Sequence, residues 1–223
     1  MPNVYFSDVH MVDAAVSGGP SGAQRGQLSV IVGGREEDVN SVRGVLQCFA
    51  KAITHVGPLG AGHAVKAMNN VLNASHLLLA SEAMCALSNF GIDPQAALAA
   101  INLSSGRSLI SEQRLSQEVF SRRFAYGFKL GLMHKDVTIA NRILDQAFPS
   151  ACLMRQTMQL MDLALQQFGY NADYTEAVRV VEERARVTMR PTAERVAPSS
   201  VPSANDVSGR RRACESEENV ESH

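Results

Sequence analysis

From His55 the chain passes through a glycine- and proline-rich turn into its longest apolar segment. That run reads His55-Val-Gly-Pro-Leu-Gly-Ala-Gly-His-Ala-Val-Lys-Ala-Met-Asn-Asn-Val-Leu-Asn-Ala74 and continues apolar to about Phe90. The pattern predicts a short strand, a turn, and a long helix beginning between Leu59 and Gly62. Apolar residues recur at Val65, Met68, Leu72, Leu79 and Ala83, close to the helical period. Lys66, Asn70 and Asn73 stand at i, i+4 and i+7, so they share one face. Further along, Leu77-Leu78-Leu79-Ala80 leaves no polar side, the mark of a buried helix. A lysine and two asparagines on the first turns of such a helix are costly unless paired or used.

Ahead of that helix the pattern alternates. Met11 to Val16 is a short apolar strand closed by Ser17-Gly18-Gly19-Pro20, and Gln27 to Val32 is a second, ending at Gly33-Gly34. Glu36 to Ala50 is an amphipathic helix with Val39, Val42, Val45, Leu46 and Phe49 inward, and Lys51 to Val56 returns as a strand. This is an α/β unit too small for a whole doubly wound sheet. Behind it, helical patterns follow one another over about 93–103, 108–118, 130–145, 152–168 and 174–187. Asp93-Pro94 supplies an N-cap and a first-turn proline. Beyond Arg190 the sequence is rich in proline and serine, then basic, then acidic, a composition that buries no core. The expected divisions are 1–57, 58–189 and a disordered tail, 190–223.

Charge and cysteine usage narrow the function. With 21 basic and 22 acidic residues in 223, scattered along the chain, there is no electrostatic footprint for nucleic acid. Cys48, Cys85, Cys152 and Cys214 form no CxxC pair, so reduced thiols in a cytoplasmic protein are expected rather than a disulfide framework or a metal site. Ser81-Glu82 interrupts the longest apolar run, so no membrane span is expected. The first eight residues lack the basic and apolar regions of a signal peptide.

Three clusters carry candidate chemistry. Ser17-Gly18-Gly19 reads first as an ordinary turn, yet its backbone N–H groups and the Ser17 hydroxyl suit a carboxylate. Gly57-Pro-Leu-Gly60-Ala-Gly62 lacks the Gly-Lys-Ser/Thr ending of a phosphate loop and reads as a turn and helix start. Lys66 either snorkels to solvent or acts as a general base. The second role needs its pKa brought down from about 10.4, which burial and a second cation would do. Lys135, in Leu132-Met-His-Lys-Asp136, is the candidate cation; Lys135-Asp136 alone reads as a surface pair, and His134 as a structural histidine.

Together these stretches resemble a family. Asp13-Ala-Ala-Val-Ser-Gly-Gly-Pro-Ser-Gly-Ala23, Gly60-Ala-Gly-His-Ala-Val-Lys-Ala-Met-Asn-Asn70 and Phe128-Lys-Leu-Gly-Leu-Met-His-Lys-Asp136 are similar to the successive signatures of the β-hydroxyacid dehydrogenases, relatives of 3-hydroxyisobutyrate dehydrogenase and tartronate semialdehyde reductase. Ser104-Ser-Gly-Arg-Ser108 resembles a turn of their second domain. The resemblance spans roughly residues 10–187. It implies an α/β remnant of a dinucleotide-binding domain, then an all-α domain like the C-terminal one of 6-phosphogluconate dehydrogenase, joined by a long helix. It also implies NAD- or NADP-dependent oxidation of a small β-hydroxy acid, or the reverse reduction. Apolar stretches of the helical half such as Ile139-Ala-Asn-Arg-Ile143 and Cys152-Leu-Met predict a homo-oligomer, while charge and hydropathy predict no nucleic-acid or membrane partner. By the same resemblance Ser17, Gly18 and Gly19 hold the substrate carboxylate, Lys66 is the general acid/base, and Asn70 bonds the substrate. Lys135 and Phe128 lie by the cofactor.

The departures are Ala15 for the family's usual proline, His63 for its common glutamine, and the lack of Gly-x-Gly-x-x-Gly. The last makes the chain resemble a member shorn of its first nucleotide-binding elements, expected to be inactive alone. The competing expectation is a truncated, non-catalytic helical oligomerisation fragment.

Overall fold

The computed structural model describes residues 9–191. The proposed tail and Cys214 therefore fall outside the described residues, apart from Arg190 and Pro191. Three strands come first: β1 (Asp13–Ser17), β2 (Leu28–Gly33) and β3 (Ala50–Gly57), in the order β1-β2-β3. β1 runs antiparallel to β2, with Asp13 opposite Gly33 and Ser17 opposite Ser29. β2 and β3 are parallel, joined by α2 (Glu36–Gln47). The Ser17–Pro20 stretch is more than a turn, because a short helix, α1 (Gly19–Gln24), starts within it.

Val30, Val32, Val39 and Leu46 form a small core between sheet and α2. Val45, expected on the inner side of α2, is 67% exposed. Val39 and Leu46, seven apart, already fill the contact line that a short helix offers, which turns Val45 outward.

The centre of the molecule is α3 (Ala61–Asn89). Its early turns pack on all three strands, and its later turns pack among the helices. Those are α4 (Pro94–Asn102), a π-helix (Ile110–Phe120), α5 (Leu130–Ala147), α6 (Leu153–Phe168) and α7 (Val178–Ala185), the last preceded by a 3₁₀ turn (Tyr174–Ala177). Asp93 caps α4, its carboxylate accepting from Gln95 and Ala96 N–H, with Pro94 in the first turn. The larger core gathers Val71, Ala74, Leu77, Leu78, Met84 and Cys85 of α3 with Leu130, Val137, Met161, Ala164 and Tyr174.

The apolar spacing of α3 does not by itself assign its inner side. Val65, Leu72 and Leu79 face outward, while Ala67, Asn70, Val71, Ala74 and Leu77 face inward. Both sides are apolar, so period alone does not choose between them. By length and composition α3 would also suffice to cross a bilayer, contrary to the expectation from Ser81-Glu82. Its inner face is instead covered by protein, with Asn70 and Ser81 buried there.

Asp13 fixes the start of α3. From β1 its buried carboxylate accepts the Gly60 N–H at 2.6 Å and the His63 N–H at 2.6 Å. Those are among the N–H groups that a helix start leaves without partners. The junction has no spare room: a Cβ on Gly62 would lie 2.6 Å from the Ile31 carbonyl oxygen and 2.7 Å from Asp13 Oδ2. Gly60 itself sits at φ 95°, which favours glycine. The glycines of 57–62 thus make a turn and a capped helix start.

Candidate active site

At the C-terminal end of β1 the backbone turns through Gly18 (φ 128°) and Gly19 (φ 63°), conformations open chiefly to glycine. Directly across, the first turns of α3 present Lys66, Asn69, Asn70 and Asn73. The third side is the segment 126–128, continued by Met133 and Asp136 of α5 and by Tyr174. Together they enclose a cleft of about 370 Å³. Ser17, Gly18, Gly19, Lys66, Asn70 and Phe128, separate in sequence, all line it. Lys135 does not; its side chain is 60% exposed and its Nζ pairs with Asp136 Oδ1 at 2.8 Å.

Lys66 is half-buried and makes no hydrogen bond or ion pair among the described residues. Burial pushes its pKa below the ordinary lysine value. The Asp136 carboxylate works against that shift and the Lys135 ammonium adds to it, so Lys135 acts on Lys66 at a distance without entering the cleft.

Asn70 is held rigidly. Its Nδ2 donates to Asp136 Oδ2 at 2.6 Å and its Oδ1 accepts from Asn69 Nδ2 at 3.1 Å. One amide hydrogen and one lone pair remain for a ligand. Asp136 is thus a positioning group that the sequence did not single out, although it directly follows Lys135 on the same helix.

Of the aromatic wall the sequence named Phe128 but missed Tyr126 and Tyr174. Tyr126 and Phe128 meet the Tyr174 ring edge to face at 5.7 and 6.0 Å, and Arg114 from the π-helix lies 3.6 Å over the Tyr126 ring. The alternation Phe124-Ala-Tyr126-Gly-Phe128 was the available signal. Two sets of bonds hold this wall. Glu118 accepts from Arg123 Nε at 3.2 Å and the Ala125 N–H at 3.0 Å, while Gly127 N–H donates to Asp173 Oδ2 at 2.8 Å. Burial raises the Tyr174 phenol to about 12, with Arg114 partly offsetting the rise. Asn73 Oδ1 is buried without a hydrogen-bond partner among the described residues.

His134 plays a structural part: its Nε2 contacts Asp162 Oδ1 at 2.7 Å, linking α5 to α6. Cys48, Cys85 and Cys152 are free thiols, and no cluster of metal-ligating side chains occurs among the described residues.

A glycine turn at the end of a strand, facing a lysine on the first turns of a long helix, defines a class of arrangement, and comparison with known proteins identifies the family. A family model described as the NAD-binding domain of NADP-dependent 3-hydroxyisobutyrate dehydrogenase matches residues 60–181, and one described as the NAD binding domain of 6-phosphogluconate dehydrogenase matches 3–57. The chain belongs to the β-hydroxyacid dehydrogenase family typified by 3-hydroxyisobutyrate dehydrogenase. It is similar to a 2-(hydroxymethyl)glutarate dehydrogenase of Eubacterium barkeri, 39% identical over 59% of this chain and 44% of that protein. The 2-hydroxy-3-oxopropionate reductase of Escherichia coli K12 is 32% identical over 77% and 58% respectively. A solved structure of Mycobacterium tuberculosis 3-hydroxyisobutyrate dehydrogenase with L-serine superposes with a TM-score of 0.70 at 25% identity, over 76% of this chain and 60% of that one. The chain spans about half the length of the curated relatives it matches.

Proposed function

We propose that this chain carries the substrate side of an NAD(P)-dependent oxidoreductase acting on a small β-hydroxy acid. The observation that carries the proposal is Lys66: half-buried, without a protein partner, and facing the same cleft as Ser17, Gly18, Gly19 and Asn70. Backbone N–H groups of the glycine turn and the Ser17 hydroxyl bind the substrate carboxylate. The free amide hydrogen of Asn70 donates to the reacting hydroxyl, which places that hydroxyl against Lys66 Nζ. In oxidation neutral Lys66 takes the hydroxyl proton; in reduction protonated Lys66 returns it.

The fit to the cofactor is partial. Phe128 offers an apolar face suited to a nicotinamide ring and Lys135 a nearby cation, while the chain contains no Gly-x-Gly-x-x-Gly for a pyrophosphate. When bound, the nicotinamide exchanges the hydride, which no side chain can do. Aromatic and aliphatic walls at Phe128, Met133 and Leu28 keep water from the reacting carbon. Free thiols at Cys48 and Cys152 suit a reducing cytoplasm.

Titrating the labelled chain with a small β-hydroxy carboxylate tests the carboxylate and hydroxyl contacts without the cofactor. Shifts centred on the Gly18 and Gly19 amides and the Asn70 side chain are expected; a silent cleft would overturn the assignment.

The assembly follows from the outer face of α3. Val65, Leu72 and Leu79 are spaced by seven and are 42%, 46% and 65% exposed, and Phe90 ends the stripe. Exposed apolar residues repeated every seven along one side of a long helix suit self-association. Sedimentation at micromolar concentration is expected to give a homodimer or larger species, and Leu79→Glu to shift it to monomer. A wild-type monomer would dismiss this assembly.

A further inference from the structure

Beside Gly19 the cleft is nearly empty of protein. Among the described residues, and apart from its chain neighbours, a Cβ built on that glycine would meet one heavy atom within 4 Å, the Tyr126 Oη at 3.3 Å. The Tyr126 hydroxyl thus stands beside the glycine turn, in the cleft that both residues line. It makes no hydrogen bond among the described residues. The ring that carries it is held on several sides. Arg114 lies 3.6 Å over its face, and Tyr174 meets it edge to face at 5.7 Å. The backbone is tied on either flank, by Ala125 N–H to Glu118 Oε2 and by Gly127 N–H to Asp173 Oδ2. A phenylalanine would keep all of these contacts, so the hydroxyl is the part that packing does not explain.

A Cβ position lies about 2.5 Å from its own amide nitrogen, so Tyr126 Oη is within about 6 Å of the Gly19 nitrogen. A carboxylate whose two oxygens each take a hydrogen bond of about 2.7–2.9 Å spans that gap. We propose that Tyr126 is a further substrate-binding residue that selects for a free carboxylate. Its Oη donates a hydrogen bond to one carboxylate oxygen while the glycine turn donates to the other. The inference rests on the functional reading above and adds a second side to its carboxylate site. Because the ring is fixed before the ligand arrives, little side-chain freedom is lost on binding. An ester at the same place carries no charge and offers the hydroxyl a weaker acceptor, so it is disfavoured.

Direct titration of the full chain with 3-hydroxyisobutyrate and with its methyl ester, in wild type and in Tyr126→Phe, tests this. Wild type should bind the acid at least about 10-fold more tightly than the ester, since hydrogen bonds to an ionised group are the strong ones. Tyr126→Phe should weaken the acid by about 10-fold and leave the ester nearly unchanged, so that the preference shrinks. The acid should still shift the Gly18 and Gly19 amides of the variant, because their own contacts remain. Three results would overturn the proposal. They are an acid affinity unchanged in Tyr126→Phe, a wild type that does not tell acid from ester, and an ester weakened as much as the acid, which would mean that the hydroxyl acts through the fold. Binding of neither ligand to wild type, with no shift at Gly18 and Gly19, would instead remove the functional reading on which it stands.

Discussion

Replacing Lys66 with alanine, in a form completed with a dinucleotide-binding domain, is expected to lower turnover of a β-hydroxy acid by about 10²–10⁴-fold, the range for loss of a general acid/base. Substrate binding should change far less, because the carboxylate contacts at Ser17, Gly18 and Gly19 lie on another element. The pH profile supplies the sharper signature. Oxidation needs neutral Lys66, so its rate should climb with pH through a pKa that burial has brought below the ordinary lysine value. Reduction should fall over the same interval. The exposed Lys135 adds a like charge that favours the neutral form, so Lys135→Met should move the oxidative limb to higher pH. The same depression links to stability. Between the folded pKa and 10.5, the unfolded chain holds a proton that the folded one has released. Stability contributed by this group therefore rises with pH across that window, and Lys66→Met should abolish the rise. An unaltered profile in Lys135→Met, together with turnover of Lys66→Ala within a few-fold of wild type, would reduce Lys66 to a snorkelling side chain.

Asp13→Ala is expected to cost about 2–4 kcal/mol of folding stability. The Asp13 carboxylate is 5% exposed and is the acceptor for both the Gly60 and His63 N–H groups. A buried donor left without a partner costs about 1–3 kcal/mol. Against the roughly 5–15 kcal/mol that holds a typical domain folded, this is a large share. With a urea slope of about 1–3 kcal/mol per molar, the unfolding midpoint should drop by about 1 M or more. Asp13→Asn retains a single acceptor oxygen and turns an N–H toward the other donor, so it should fall between the two. A midpoint within about 0.2 M of wild type would mean that water replaces the carboxylate and that β1 does not anchor the helix.

Much of the candidate site was legible because helical spacing is a strong constraint. Lys66, Asn70 and Asn73 could be placed on one face from their numbers alone, and the Gly18-Gly19 pair announced a backbone that only glycine adopts readily. The helices of the second half followed from their apolar period and from caps such as Asp93-Pro94. Other features depended on contacts between distant segments. Asp136 reaches Asn70 across 66 positions, and no local pattern encodes that. Tyr126 and Tyr174 become a wall only when two segments pair beside α5. The inner side of α3 was not legible because Val65, Leu72 and Leu79 are as apolar as Val71, Ala74 and Leu77, and period cannot rank two apolar faces. Likewise, no periodicity distinguishes the π-helix from an α-helix over Ile110–Phe120.

That π-helix has a consequence for how the chain can change in length. Its hydrogen bonds close over one more residue than those of an α-helix, so a single deletion within Ile110–Phe120 would tighten the turn that contains it toward ordinary α-helix. The position of such a deletion would matter. Before Arg114, it would swing the guanidinium away from the Tyr126 ring and leave the grip of Glu118 on Arg123 and Ala125 in place. After Arg114, the stacking would survive and the Glu118 contacts would be lost. Homologous chains one residue shorter here should therefore carry compensating changes at one of those two contacts, according to where their gap falls.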